Sequence, residues 1–363
     1  MNWMSVQLLA SIAGFLQKYI LKQRKFIKYN QCVAYVCNQG SNSISQYLIS
    51  DRGSLAPMPS ATISTGTTPV HIAIAPSGKY AYVANQGGNN VSQYRIDEQG
   101  NLLPFSTPAA AGTSPVSIAI DPLGRYAYVA NSSSNEVSQY TVGESGLLQV
   151  MEAASIVTGV IPVSVSVDPS GKYVYVVNNG SNDISQYLIT KTGELAPMTP
   201  PSVKAGDAPR VIIVDPAGKF AYVANRGSND IYMFEIGVSG NLTLVQIPVT
   251  TGKHPIAMCI VPSGKFAYVV NQNDNSISQY RVGNNGQLAT LIPATVASYV
   301  TPVGIAATSS GKHVYVANIS SNDVSQFEIG EDGGLTAIPL NKWGDATISA
   351  EVSPRSVTTV FIN

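Results

Sequence analysis

The stretch that decides the fold is Pro115–Thr141, PVSIAIDPLGRYAYVANSSSNEVSQYT. It opens on Val-Ser-Ile-Ala-Ile, an apolar run too short for a buried helix. Asp-Pro-Leu-Gly follows, a turn in which Pro presets φ and Gly tolerates a positive φ. Tyr126-Ala-Tyr-Val-Ala is rich in residues that suit strands. The polar run Asn131–Asn135 suits a second turn, and Val137-Ser-Gln-Tyr140 alternates apolar with polar, the period-two mark of a strand. A third turn at Glu144–Gly146 leads into a weaker strand from Leu148. The unit is therefore four short strands with a turn between each.

Working outward, the same phrase recurs along the chain. Its Asn falls at Asn38, Asn85, Asn131, Asn178, Asn225, Asn271 and Asn318, at steps of 47, 46, 47, 47, 46 and 47 residues. A fixed period of this size marks a repeat architecture. No repeat carries a 3.6-residue apolar period, which excludes a helical solenoid. Seven units of four antiparallel strands predict an all-β, seven-bladed β-propeller over residues 31–363. The first unit starts at its second strand, Val33–Cys37, and the final Pro354–Phe361 matches an inner strand with nothing after it. Together the two fragments complete one blade, so the C-terminal strand closes the ring and hides its edges.

Composition narrows the function classes. The 363 residues carry no formal net charge and only 12% charged side chains, so no basic stripe invites nucleic acid. Three Cys cannot build a disulfide framework, and Cys37 and Cys259 stand where other copies have Ala, as small buried apolar residues. No His/Cys/carboxylate set has metal spacing, and no phosphate loop, nucleophile elbow or dinucleotide fingerprint occurs, so neither metal nor cofactor is expected. The Asn-rich loops, as at Asn178–Asp183, superficially suggest calcium, but turn formation explains them better. A monomer is expected.

Residues 1–30 lie outside the repeat. Leu8, Ile12, Phe15 and Tyr19 would share one helical face, and Lys18, Lys22, Arg24, Lys25 and Lys28 follow. The charge comes after the apolar run, opposite to a cleaved signal, and the run is short for a membrane span. The segment reads as a loosely held extension, with peripheral membrane contact by an interfacial helix as the alternative. The cytoplasm is the default compartment, with membrane association and export left open.

The repeat resembles the lactonase-like seven-bladed propellers, of 6-phosphogluconolactonase and carboxymuconate cyclase type, and the YVTN-type repeat proteins. The resemblance covers residues 31–363 and implies the propeller fold and, for the enzymes, lactone chemistry. The family's Gly-x-Gly-Pro-Arg-His looks like Ala205–Val211 here, with Arg210 kept and Val211 in place of the His. The family's Val-Asn-Glu looks like Ala224-Asn225-Arg226, a cation replacing a carboxylate. A family Pro-Arg-Gly looks like Pro302-Val303-Gly304, and a family inner-strand His corresponds to Val163.

Nearly interchangeable repeats build scaffold, so function should sit where one copy departs from the others. The loop leading into each inner strand and the loop after each Tyr-Val-x-Asn lie at one end of the ring, around the channel mouth. Copies aligned there expose two groups of exceptions: Arg210, Arg226 and His254 on adjacent blades, and His71 and Arg355 near the closure. The segment from Leu335 to Pro354 spans 19 residues against 13 or 14 elsewhere, and carries Trp343. His313 falls at the opposite end as a structural residue. Arg, His and an aromatic at a mouth suit a planar or anionic ligand, a small anionic sugar or carboxylate. The alternative is surface ion pairing with Asp207, Asp230 and Glu351.

Three functions follow as expectations. The leading one is a binding or interaction platform, for such an anion or for a protein partner. The second is a lactonase in which Arg210 stabilises the oxyanion and His254 activates water. The third is a surface-anchored structural repeat protein.

Overall fold

The computed structural model describes residues 31–245, 248–339 and 346–362; the N-terminal extension and Trp343 lie outside them. Among the described residues the chain is all strand, turn and loop, arranged as seven antiparallel sheets. The second to seventh blades cover residues 69–110, 115–157, 162–204, 209–250, 255–297 and 302–349. The first blade joins Gln31–Asn38, Ser43–Ile49 and Leu55–Ser64 to the C-terminal Pro354–Ile362, which pairs along the whole of Gln31–Asn38. Ring closure by the last strand is thus as the repeat boundaries predict. The outermost strand is continuous in four blades and broken into two short pieces in the second, fifth and seventh.

The core sits between blades. Seven buried clusters each combine side chains of two neighbouring blades, one cluster per junction. This is why Tyr-Val-x-Asn strands are buried on both faces: each is sandwiched between two other sheets.

Polar side chains of the repeated phrase lock each blade to the next. The first Tyr of Tyr-Val-x-Asn donates its hydroxyl to a turn glycine of the following blade, as Tyr128 Oη does to the Gly193 carbonyl at 2.6 Å and Tyr315 Oη to Gly53 across the closure at 2.7 Å. Gly193 has a φ of 92°, and a Cβ there would meet the Tyr126 ring at 2.2 Å, so only glycine fits beneath the ring. The Gln of Ser-Gln-Tyr accepts the backbone N–H that opens the next blade's outer strand, for example Leu148 N–H on Gln93 Oε1 at 2.8 Å. The loop Asn, in left-handed conformation, accepts the N–H of the residue before the next blade's Pro, as Asn135 Oδ1 does from Ile161 at 2.7 Å. The Asn loops are therefore blade-to-blade clamps built on turns, as their sequence predicts.

The fifth blade departs. Ile231-Tyr232-Met233-Phe234 replaces the Val-Ser-Gln-Tyr phrase, so Met233 stands where six other blades place the Gln.

Candidate functional site

At one end of the ring every inner strand begins with the same irregularity. The repeat Pro pairs with the Asn of the neighbouring strand, the residue two further on pairs with the preceding residue, and the residue between them bulges out of register. A bulge re-aims the side chain of its extra residue. Here it presents seven residues to the channel mouth, and in two blades that residue is arginine: Arg210 in the fifth and Arg355 in the first. The loop after Asn225 adds Arg226, held where its backbone N–H donates to the Ala208 carbonyl at 3.0 Å.

The mouth opens into a cavity of about 510 Å³. Arg210, Arg226, Arg355 and His71 all line it. The two groups of exceptions are therefore one site, because the fifth and first blades face each other across the ring and aim their arginines into a shared space. Among the described residues the cavity lining contains no Asp, Glu or Lys. Among the described residues the sole ion pair is Arg125–Asp121, far from the mouth in the turn of the third blade. Ion pairing of the mouth arginines is not what the structure contains: Asp230 accepts from Asn225 and Ser228, and Asp207 from Asn182.

The electrostatic consequence is plain. Burial, then Arg355, then Arg226 pull the Arg210 guanidinium down to about 9. Arg355 is likewise lowered, by burial and then by Arg226. Both shifts report guanidinium groups that are buried first and crowded by like charge second.

His71 plays a defined part. Its Nδ1 accepts the Ile118 N–H of the next blade at 3.3 Å, and burial pushes the imidazole down to about 4. It is thus neutral at physiological pH, with the proton on Nε2, a hydrogen-bond donor rather than a base. On the blades between and beside those of the arginines the lining carries neutral polar groups, among them Gln86, Ser132, Asn179 and Gln272. In the sequence these residues carry no distinguishing signal, since polar side chains after the Asn look like ordinary loop chemistry.

His254 does not line the cavity. It precedes the Pro, in left-handed backbone with a φ of 55°, and its Nδ1 is buried without a partner. Of the seven residues at that position only Ile161 reaches the cavity, because the chain there turns along the rim and the bulge comes two residues later.

Solved structures share the whole ring. A candidate 6-phosphogluconolactonase from Bacteroides fragilis superposes with a TM-score of 0.80 at 21% identity, over 92% of this chain and 99% of that one. A second, from Bacteroides uniformis, gives 0.78 at 20%, over 91% and 100%. The periplasmic gluconolactonase of Pseudomonas aeruginosa gives 0.76 at 23%, over 92% and 100%. At these identities the likeness carries the fold alone. No curated protein matches the chain. The family described as lactonase, 7-bladed β-propeller, matches residues 30–209 and 196–297, most of the ring. The chain belongs to the lactonase family of seven-bladed β-propellers.

Proposed function

We propose that the cavity binds a small hydroxylated organic anion, a sugar acid or its phosphate. The observation that carries this reading is the convergence of three arginines in a lining that, among the described residues, holds no carboxylate. Three guanidinium groups at close quarters repel one another, and no carboxylate among the described residues pairs with them. An anionic ligand relieves that repulsion and gains forked, charge-assisted hydrogen bonds. Gln86, Ser132, Asn179 and Gln272 supply donors and acceptors suited to hydroxyl groups.

Lactone hydrolysis is the second reading, favoured by the family and by gluconolactonase-type neighbours. Water would attack the lactone carbonyl carbon, the ring C–O bond would break, and the product would leave as a hydroxy-carboxylate. Arg210 is suited to hold the oxyanion of the tetrahedral intermediate. A general base is harder to find: Nδ1 of His71 is engaged, and His254 stands outside the cavity.

Calorimetric titration with D-gluconate, 6-phosphogluconate and uncharged glucose tests the anion reading. Both anions should bind and glucose should not, and Arg210→Ala should weaken binding by about 1.5–3 kcal/mol. No heat with either anion would leave the platform reading to a protein partner. Gluconolactone opening faster than the spontaneous rate, and lost in Arg210→Ala, would make the site catalytic.

A further inference from the structure

The floor of the cavity differs around the ring. In the third, fourth and fifth blades, the N–H of the third residue after the Pro points away from its own sheet. Each is taken by a side chain of the preceding blade: Ile118 N–H by His71 Nδ1, Val165 N–H by Ser117 Oγ at 3.2 Å, and Ile212 N–H by Ser164 Oγ at 3.3 Å. The acceptor is always the second residue after the preceding blade's Pro.

In the next three junctions that acceptor position holds Val211, Ala257 and Gly304. None has a side-chain acceptor. The register of the sixth, seventh and first blades is the same, with Met258, Ile305 and Val357 opposite the residues that match the partners of Ile118 and Val165. Their N–H groups therefore face the channel, and no acceptor meets them among the described residues. Gly304 lets the strands approach closely: a Cβ there would lie 2.8 Å from the Arg355 carbonyl, so no larger residue fits. The cavity records the same asymmetry independently. Met258, Ile305 and Val357 line it, whereas Ile118, Val165 and Ile212 do not. At the remaining junction Ser356 precedes Ile72 without a bond forming, and Ile72 stays out of the cavity.

Unpaired backbone N–H groups are rare in folded proteins, and three on adjacent strands facing one cavity form a donor surface that only water or a ligand can satisfy. Such donors, fixed by the sheet and beside a cationic rim, suit a carboxylate oxygen. We infer that the Met258, Ile305 and Val357 N–H groups form a backbone seat for the carboxylate of the ligand. This inference rests on the anion-binding reading above and places the ligand within it: carboxylate on the blade six-to-one floor, hydroxyls toward Gln86 and Asn179.

The seat can be filled without touching an arginine. Ala257→Ser should recreate the bond that Ser164 makes and consume the Ile305 N–H; Val211→Ser should do the same to Met258. Each should weaken D-gluconate binding by roughly tenfold, the scale of one hydrogen bond to a charged group. Ala257→Cys, of similar size and a poor acceptor, should stay within about twofold. In the wild type, gluconate should shift the Ile305 amide resonance, and in Ala257→Ser it should not. If Arg210→Ala weakens gluconate binding while both serine variants bind as tightly as wild type, the seat is wrong and the anion site stands. If the wild type does not bind gluconate the seat falls, and the anion reading falls with it only if 6-phosphogluconate does not bind either.

Discussion

The periphery of the ring and its mouth obey opposite rules. Between blades, the same side chains repeat around the circle: Tyr to glycine carbonyl at all seven junctions, Gln to backbone N–H at six. The Tyr hydroxyls and Gln side-chain oxygens there each find a backbone partner that the next repeat supplies. At the mouth the repeat is broken, and the residues that break it, Arg210, Arg226 and Arg355, have no counter-charge among the described residues. Satisfied repetition is how this chain builds stability; unsatisfied departure is where it keeps binding capacity. Substitutions should divide accordingly, periphery into folding and mouth into ligand.

The largest effect belongs to the closing strand. Removing Pro354–Asn363 strips the partner from all of Gln31–Asn38 and opens the seventh blade's neighbour. The loss should exceed the stability of an ordinary domain, about 5–15 kcal/mol, and abolish cooperative unfolding. A truncated protein that melts like the full chain would break the comparison at its root.

Next comes a single clamp. Tyr128→Phe leaves the Gly193 carbonyl buried without its donor and should cost about 1–3 kcal/mol in denaturant unfolding. Ser132→Ala, at the mouth, should stay within about 0.5 kcal/mol. Equal costs would erase the distinction between the two regions.

How far the sequence reaches follows the same line. Blade boundaries, turns and closure are legible because they rest on local signals: side-chain alternation, Asp-Pro-x-Gly and Asn turns, and a fixed period. Arg210, Arg226, Arg355 and His71 are legible as exceptions because aligned repeats supply their own reference. Their union into one cavity is not, since it depends on which blades the closed ring sets face to face. His254 misleads because one residue separates the rim from the bulge, and a bulge leaves no mark in composition. The backbone floor is invisible for a further reason: it is made of groups every residue has, freed only by what Val211, Ala257 and Gly304 lack. Trp343 and residues 1–30 lie outside the described residues.

His71 belongs to both regions, and pH separates its roles. Its folded value, about 4, lies below the unfolded one near 6.5. The neutral form is favoured by folding, so its contribution is complete above the unfolded value. It is lost as pH falls from about 6.5 toward about 4. His71→Ser keeps an acceptor for the Ile118 N–H, as Ser117 does for Val165, and removes the titration. Relative to the variant, the wild type should be level at pH 7.5 and lose about 1–2 kcal/mol by pH 4.5 in chemical denaturation. Parallel pH profiles would show that the imidazole does not titrate on unfolding in this range.

The smallest effect on stability tests the central claim, that the mouth arginines are uncompensated in the protein itself. Wild type and Arg210→Ala should be melted at low ionic strength, with and without 6-phosphogluconate. Without ligand the variant should be at least as stable as wild type, because one of three mutually repelling cations has gone. Ligand at a hundredfold excess over its Kd should stabilise the wild type by about 2.7 kcal/mol, and the variant by much less at the same concentration. A variant that is more than about 1 kcal/mol weaker without ligand, yet gains as much from it as wild type, would make Arg210 scaffold and contradict the account.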